Sequence, residues 1–294
     1  MTNAYDEFSK KLDEKIVEPL RQVNKGRRLV YVTPPQGFGV TSVDWGKMTE
    51  MSDGYVSMGF TDGNKDSIDV KLTNAQIPVY WKDYTIDRRI YEGWRTRGFD
   101  IDAANAIAAA YKASRAEDGA IINGVTNDGT NYDFVGIYQG AVASGNNYAT
   151  SCSIGTFGNL TSAINAAYEL MDEDGVPVDS LPFNLALNST SFKKARSVRN
   201  TGGNGNRELP DILELLNGGS VISVGTQVMT GQGFLCPTPA VGEPYLDYYL
   251  TSDFQTDPMT PMYQKTGNLG GRVFSAGVLR IKQFDALCAF SNLS

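Results

Sequence analysis

A chain of 294 residues that is 41% hydrophobic and 20% charged has material for one large core or two modest ones. Its formal net charge of −7 argues against overall attraction to nucleic acid or to an anionic membrane, while leaving room for a local basic patch. Histidine is absent, which excludes Ser-His-Asp and Cys-His catalysis and every His-ligated metal centre, and Cys152, Cys236 and Cys288 lie too far apart for a Cys-x-x-Cys pair and read as small buried hydrophobes.

The first twenty residues, MTNAYDEFSKKLDEKIVEPL, carry no apolar core of a secretion signal, and no run approaches transmembrane length, so a cytoplasmic protein is expected. Phe8, Leu12, Ile16, Leu20 and Val23 recur at three- and four-residue spacing and predict an amphipathic helix over residues 4–24, kinked or ended at Pro19. Leu29 to Val32 reads as a strand stopped by Pro34-Pro35. Asp53-Gly54 and Asp62-Gly63 mark turns in a long hairpin, with one arm near Tyr55 to Phe60 and the other near Ser67 to Leu72. Such an arm has few large apolar residues of its own and needs a surface to lie on, for which a neighbouring subunit is the natural candidate.

Tyr80, Trp81, Tyr84, Tyr91 and Trp94 imply a packing core or a subunit interface. Arg88, Arg89, Arg95 and Arg97 interleave with them as on a stacking platform for nucleic acid, but arginines on a helix over 85–96 more often face solvent. A long Ala-rich helix follows from Asp100 to Asn123. Asp100 or Asp102 can cap it, and Ile101, Ala104, Ile107, Ala108 and Tyr111 form its apolar stripe. Glu117 and Asp118 oppose its dipole and call for compensation, with Arg115 as the local candidate, and Asn123-Gly124 stops it.

From Thr126 to Ser151 the texture is Gly/Asn/Thr-rich and loop-like. Leu160, Ile164, Ala167 and Leu170 predict a helix ended by Asp174-Gly175, and Pro182 to Leu187 a buried strand; Asn188 or Ser189 then caps a further helix. A short helix, a strand near VISV and two long strand-forming tail segments complete the chain. Asp172, Asp174 and Gly175 echo a calcium loop without its bidentate Glu, and Gly37-Phe38-Gly39 begins a dinucleotide fingerprint that is not completed. No cofactor or catalytic residue is expected.

Three stretches carry more than pattern. They are GRRLVYVTPPQGFG from Gly26, RGFDIDAANAIAAAYKASRAEDGAIINGV from Arg97, and VLRIKQFDALCAF from Val278. Together with the order of elements, they resemble the major capsid proteins of tailed viruses and the encapsulin shell proteins, which share the HK97 fold. The resemblance implies an α+β protein with an N-arm and first P-domain strand at 1–42, an E-loop at 43–78, a P-domain with a spine helix at 79–129, an A-domain at 130–245, and return strands at 246–294.

It also implies a self-assembling, non-enzymatic icosahedral shell subunit whose main partner is itself. The N-arm (Phe8, Leu12) and the E-loop (Tyr55, Val56, Met58, Phe60, Ile68, Val70, Leu72) would supply interface residues. Lys10, Lys11, Lys15, Lys193 and Lys194 could face packaged DNA. A longer A-domain and the tail TGNLGGRVFSAGVLRIKQ favour a tailed-virus capsid enclosing double-stranded DNA, assembled in the host cytoplasm. The alternative is an encapsulin, a cytoplasmic nanocompartment around a cargo enzyme. The absence of a large N-terminal scaffolding segment points toward that alternative, or toward a virus with a separate scaffold. Neither reading involves a membrane.

Overall fold

The computed structural model describes residues 11, 24–48, 70–97, 104–126, 132–148, 152–200, 205–226, 228–229, 233–257, 260–261, 269–291 and 293. A 3-10 turn, Gly26–Arg28, leads into strand β1 (Tyr31–Val32). Strands β2 (Ser42–Met48), β3 (Val70–Gln76) and β4 (Val79–Ile86) follow, then helix α1 (Arg88–Arg97) and the long helix α2 (Ala104–Asn123). Next come β5 (Gly124–Thr126), β6 (Tyr132–Val135), α3 (Ile137–Ser144), β7 (Asn147–Tyr148) and α4 (Asn159–Glu173). They are followed by β8 (Phe183–Asn188), α5 (Ser189–Ser197), α6 (Leu209–Leu215), β9 (Val221–Val224) and β10 (Gly233–Pro237). The chain closes with β11 (Leu246–Thr256), β12 (Thr260–Pro261), β13 (Leu269–Ile281) and β14 (Cys288–Phe290).

Two sheets organise these elements. In the first, β13 pairs antiparallel with β11 and with β4, and β1 adds to β11 in parallel. Along β4, Tyr80, Tyr84 and Ile86 turn inward while Val79, Trp81 and Asp83 turn outward, the period-two pattern of a half-buried strand. In the second sheet the order is β7-β14-β10-β8-β9. Its middle strands β8 and β10 are buried almost throughout. Asn184 is a polar residue in this interior, and its Oδ1 accepts from both the backbone N–H and the hydroxyl of Ser220, each at 3.0 Å.

Helix α2 packs on the first sheet through alanines. Its buried face is Ala106, Ala109, Ala110, Ala113, Ser114, Glu117, Asp118, Ala120, Ile121 and Ile122. Of the predicted stripe, Ala104, Ala108 and Tyr111 are exposed, Ile107 is half-buried, and Ile101 lies outside the described residues. Following the larger side chains misplaced the face, because the sheet approaches where the side chains are smallest. Ala109, Ala110 and Ala113 pack with Tyr84, Ile86, Tyr91, Phe254 and Val273.

Two further expectations change. Antiparallel pairing joins Ser42–Met48 to Val70–Gln76, nearer the body than predicted, because Val43, Trp45 and Ala75 anchor the root of the arm in the core. The first predicted arm, residues 55–60, lies outside the described residues, as do the N-terminal helix periodicity and the caps Asp100 and Asp102. The segment read as loop-like holds β6, α3 and β7; Gly140 of α3 lets Ile281 and Phe284 pack so closely that a Cβ there would lie 2.8 Å from Ile281 Cδ1. Helix α4 ends at Asp174 and Gly175, whose φ is +78°, and Asn188 caps α5 by accepting from Ser191 N–H at 2.8 Å.

Candidate functional site

Two of the three stretches singled out in the sequence meet in space. Gly26-Arg27 sits on the last turns of α2, against Glu117-Asp118. Glu117 is fully buried, and its carboxylate accepts from Arg27 Nε at 3.1 Å and Nη2 at 2.9 Å, from Asn24 Nδ2 at 2.8 Å and from the Tyr248 hydroxyl at 2.6 Å. Arg27 also reaches Asp253 at 2.6 Å and stacks over the ring of Phe254 at 5.0 Å. Burial works against the guanidinium's charge, but Glu117 and Asp253 more than offset it, so Arg27 is held even more firmly protonated than usual.

Asp118 accepts from the backbone N–H of Gly26 at 2.7 Å and of Lys25 at 3.2 Å. Burial pushes its carboxyl up to about 7, although those two amides pull the other way. At Gly26 an added Cβ would lie 3.0 Å from both Asp118 Oδ1 and Ile121 Cδ1, so the turn can lie this low only with glycine. Gly277 of β13 plays a similar part: a Cβ there would strike the Tyr248 ring at 2.7 Å, and its absence lets that ring lie flat and point its hydroxyl at Glu117.

Thus the compensation that Glu117 and Asp118 require comes from the turn at Lys25–Arg27, not from Arg115. Arg115 is two positions before Glu117 and faces another side of α2. The sequence signal was present as two separate tripeptides, GRR and AED, but nothing in their spacing says that they touch. The arrangement fixes the entering chain to the helix and to β11 with charge-assisted bonds that a chain lacking any one member would leave unsatisfied.

The surfaces offered outward are of two kinds. On the outer face of the first sheet, Val79 and Trp81 of β4 are exposed, Trp81 by 52%, and Phe38 packs edge-on against Phe274 at 5.0 Å. Arg272 lies over the Trp81 ring at 4.2 Å and pairs with Asp83 at 2.6 Å. On the β2–β3 arm Leu72, opposite Gly46, is 77% exposed. Large apolar side chains grouped on a sheet face, as here, are the feature that contact surfaces share, whereas Leu72 stands singly. Arg88, Arg89 and Arg97 are exposed on α1, as a solvated face would have them.

Of the interface residues expected from sequence, Val70 and Leu72 lie in β3; Phe8, Leu12, Tyr55, Val56, Met58, Phe60 and Ile68 lie outside the described residues. Lys193 and Lys194 are exposed on α5, which packs on β8 and β9 in the second sheet and so belongs to a different part of the molecule from the arm. Lys11 is exposed and helical, and Lys10 and Lys15 fall outside the described residues. Among the described residues no helix is long and apolar enough to cross a membrane, and no group of His, Cys, Asp or Glu is placed to hold a metal ion.

An arm, a long strut helix and two sheets in this order define a shell protein of the HK97-like capsid class. The fold matches the virus-like particle of Pyrococcus furiosus with a TM-score of 0.65 at 15% identity, covering 97% of this chain and 100% of that one. It also matches the capsid of the Myoviridae phage XM1 with a TM-score of 0.63 at 12% identity, over 93% and 92% of the two chains. Residues 4–257 match the family model described as the encapsulating protein for peroxidase, Linocin_M18, and the chain belongs to that family.

Among curated proteins it is 26% identical over 291 residues to the diheme-cytochrome-encapsulin shell fusion protein of Kuenenia stuttgartiensis, covering 97% of this chain and 73% of that one. It is 24% identical to the type 1 encapsulin shell protein EncA of Myxococcus xanthus, over 96% and 91% of the two chains. The protein is a self-assembling shell subunit, of a family of structural shell proteins. These relatives favour the encapsulin alternative over the tailed-virus reading that the tail sequence had suggested, since the phage likenesses rest on fold alone.

Proposed function

We propose that this chain forms a closed cytoplasmic nanocompartment that encloses a cargo protein and has no catalytic activity of its own. The observation that carries this reading is the family match across residues 4–257, which includes both halves of the Arg27–Glu117 cluster. The relatives' names support it: one is fused to a diheme cytochrome, and the family is described by the peroxidase it encapsulates. A redox enzyme is therefore the class of cargo to test first.

Within this proposal residues 1–42 are the N-arm and first strand, 43–78 the E-loop, 79–129 the P-domain with its spine, 130–245 the A-domain and 246–294 the return strands. Two features support that division. The first sheet joins β4 to β11 and β13 beneath α2, and the second gathers β7 to β10. Strand β14, from the tail, closes onto the second sheet. The N-arm and E-loop residues named above would clasp neighbouring copies.

The test is expression of the chain alone, then with a candidate cargo gene. Negative-stain microscopy should show closed, uniform particles, and co-expressed cargo should co-sediment with them and resist added protease. Particles that form only around packaged DNA would return the chain to the viral reading. A stable monomer with no particles at any concentration would overturn the shell itself.

A further inference from the structure

Where the β2–β3 arm leaves the body, it roofs a groove of about 170 Å³ lined by Trp45, Lys47, Phe134, Leu279, Ile281 and Phe284. A second hollow, of about 380 Å³, is lined by residues 74–78, Val125 and Phe134, and shares Asn74, Ala75 and Phe134 with the first. Trp45 is fixed there, its indole N–H donating to Ile281 C=O at 3.1 Å. A space of about 150 Å³ suffices for a benzene-sized ring.

The charge at its edge is unusual. Lys47 and Lys71 stand directly opposite each other across the antiparallel pair, on the same face as Trp45 and Thr73. Like charges at opposed positions destabilise a strand pair. Asp44, the one carboxylate within the two described strands of the arm, alternates to the other face, where it accepts from Asn74 at 2.5 Å. Among the described residues no carboxylate forms an ion pair with either lysine. The ammonium of Lys47 instead lies over the Phe284 ring, 4.5 Å from its centroid. Burial, and then Lys71, make this amine easier to deprotonate than an ordinary lysine. An apolar groove ending in two cations that pair with no carboxylate among the described residues is complementary to a flat apolar body with one negative end.

We propose that this groove binds a small aromatic carboxylate, its ring between Trp45, Phe134 and Phe284 and its carboxylate at Lys47 and Lys71. A molecule seated there touches both the arm, through Trp45 and Lys47, and the body, through Ile281 and Phe284. It would therefore fix the angle at which the arm leaves the body. The site does not depend on what the shell encloses.

The probe is 4-fluorophenylacetate, followed by fluorine NMR with the full-length protein, assembled as it is purified. The expected result is saturable line broadening, weakened about tenfold in K47M and similarly in K71M, as loss of one charge-assisted contact implies. The neutral 4-fluorophenylacetamide should bind about tenfold more weakly than the acid, and K82Q, which removes an exposed lysine on β4, should change nothing. Circular dichroism and particle size establish that each variant is folded and assembled. Equal binding of acid and amide, an equal loss in K82Q, or no saturable binding at millimolar probe would each overturn the proposal.

Discussion

At Asp118 two effects oppose each other, and their balance can be measured. Burial disfavours the carboxylate, whereas the amides of Lys25 and Gly26 favour it, and burial prevails, leaving the group near 7. In the unfolded chain an aspartate titrates near 4. Below that value both states hold the proton and Asp118 contributes no pH dependence. Between about 4 and 7 the unfolded chain has lost its proton while the folded chain keeps it, so this group's contribution to stability falls as pH rises, by on the order of a few kcal/mol, and levels off above 7. The difference in Tm between wild type and D118N, measured from pH 4 to 8, should shrink across that window and then stay constant; a difference that widens with pH would show that the amides win.

Arg27 obeys a simpler rule. Replacing it with Met leaves Glu117 buried and short of its bidentate partner, and should cost about 3–5 kcal/mol in urea unfolding. Lysine at the same position should recover only part of that loss, because it lacks the fork that spans Glu117 and Asp253. The three cysteines are buried, and Cys236 and Cys288 have thiols pushed up to about 12 by burial. They should resist alkylation until the chain unfolds.

Among the elements, legibility in the sequence followed how local each cause was. Helix α4, its Asp174-Gly175 stop and the Asn188 cap were readable because periodicity, a positive φ and a side-chain cap all act within a few residues. Strand β8 was readable as an apolar run closed off by turn residues. The buried face of α2 was not, because an alanine stripe is chosen by the sheet that lies on it, and that sheet comes from strands far along the chain. Helix α3 was hidden for a similar reason: its glycine exists for Ile281 and Phe284. The GRR and AED tripeptides were both visible, but their meeting spans some ninety positions. For the arm, only residues 70–72 of the expected hairpin lie among the described residues, and they pair with residues 46–48, whose position depends on Trp45's tertiary anchoring to Ile281. Leu72 is exposed and belongs to none of the apolar clusters of the described residues, so L72D should leave urea unfolding within about 0.5 kcal/mol of wild type. If the arm lies on a neighbour, the same change should reduce the assembled fraction seen by size exclusion. An assembled fraction equal to wild type would remove Leu72 from the interface.

For the molecule as a whole, charge bears on what the shell encloses. Each subunit carries 26 basic against 33 acidic residues, and a shell multiplies that excess by its copy number. The exposed basic residues whose side chains are described are divided among several elements. Lys193, Lys194 and Arg196 sit on α5, where the last-turn pair Lys194 and Arg196 complements the helix dipole. Arg27 and Arg280 are consumed by Glu117, Asp253 and Asp247 within the subunit. Electrostatic capture of a polyanion draws its strength from counterions released by unpaired cations in register with phosphates, and these paired arginines are not available for it. Particles purified after expression alone should therefore show the 260/280 nm absorbance ratio of protein, unchanged by nuclease and by raising salt from 50 to 500 mM before the final gel filtration. A cargo held by its own docking contacts would stay with the shell through the same salt step. Nucleic acid that co-purifies, resists nuclease while the shell is closed and leaves when the shell is opened would place a basic inner surface on the segments outside the described residues, and the enclosed polymer would then have to be DNA or RNA in place of an enzyme.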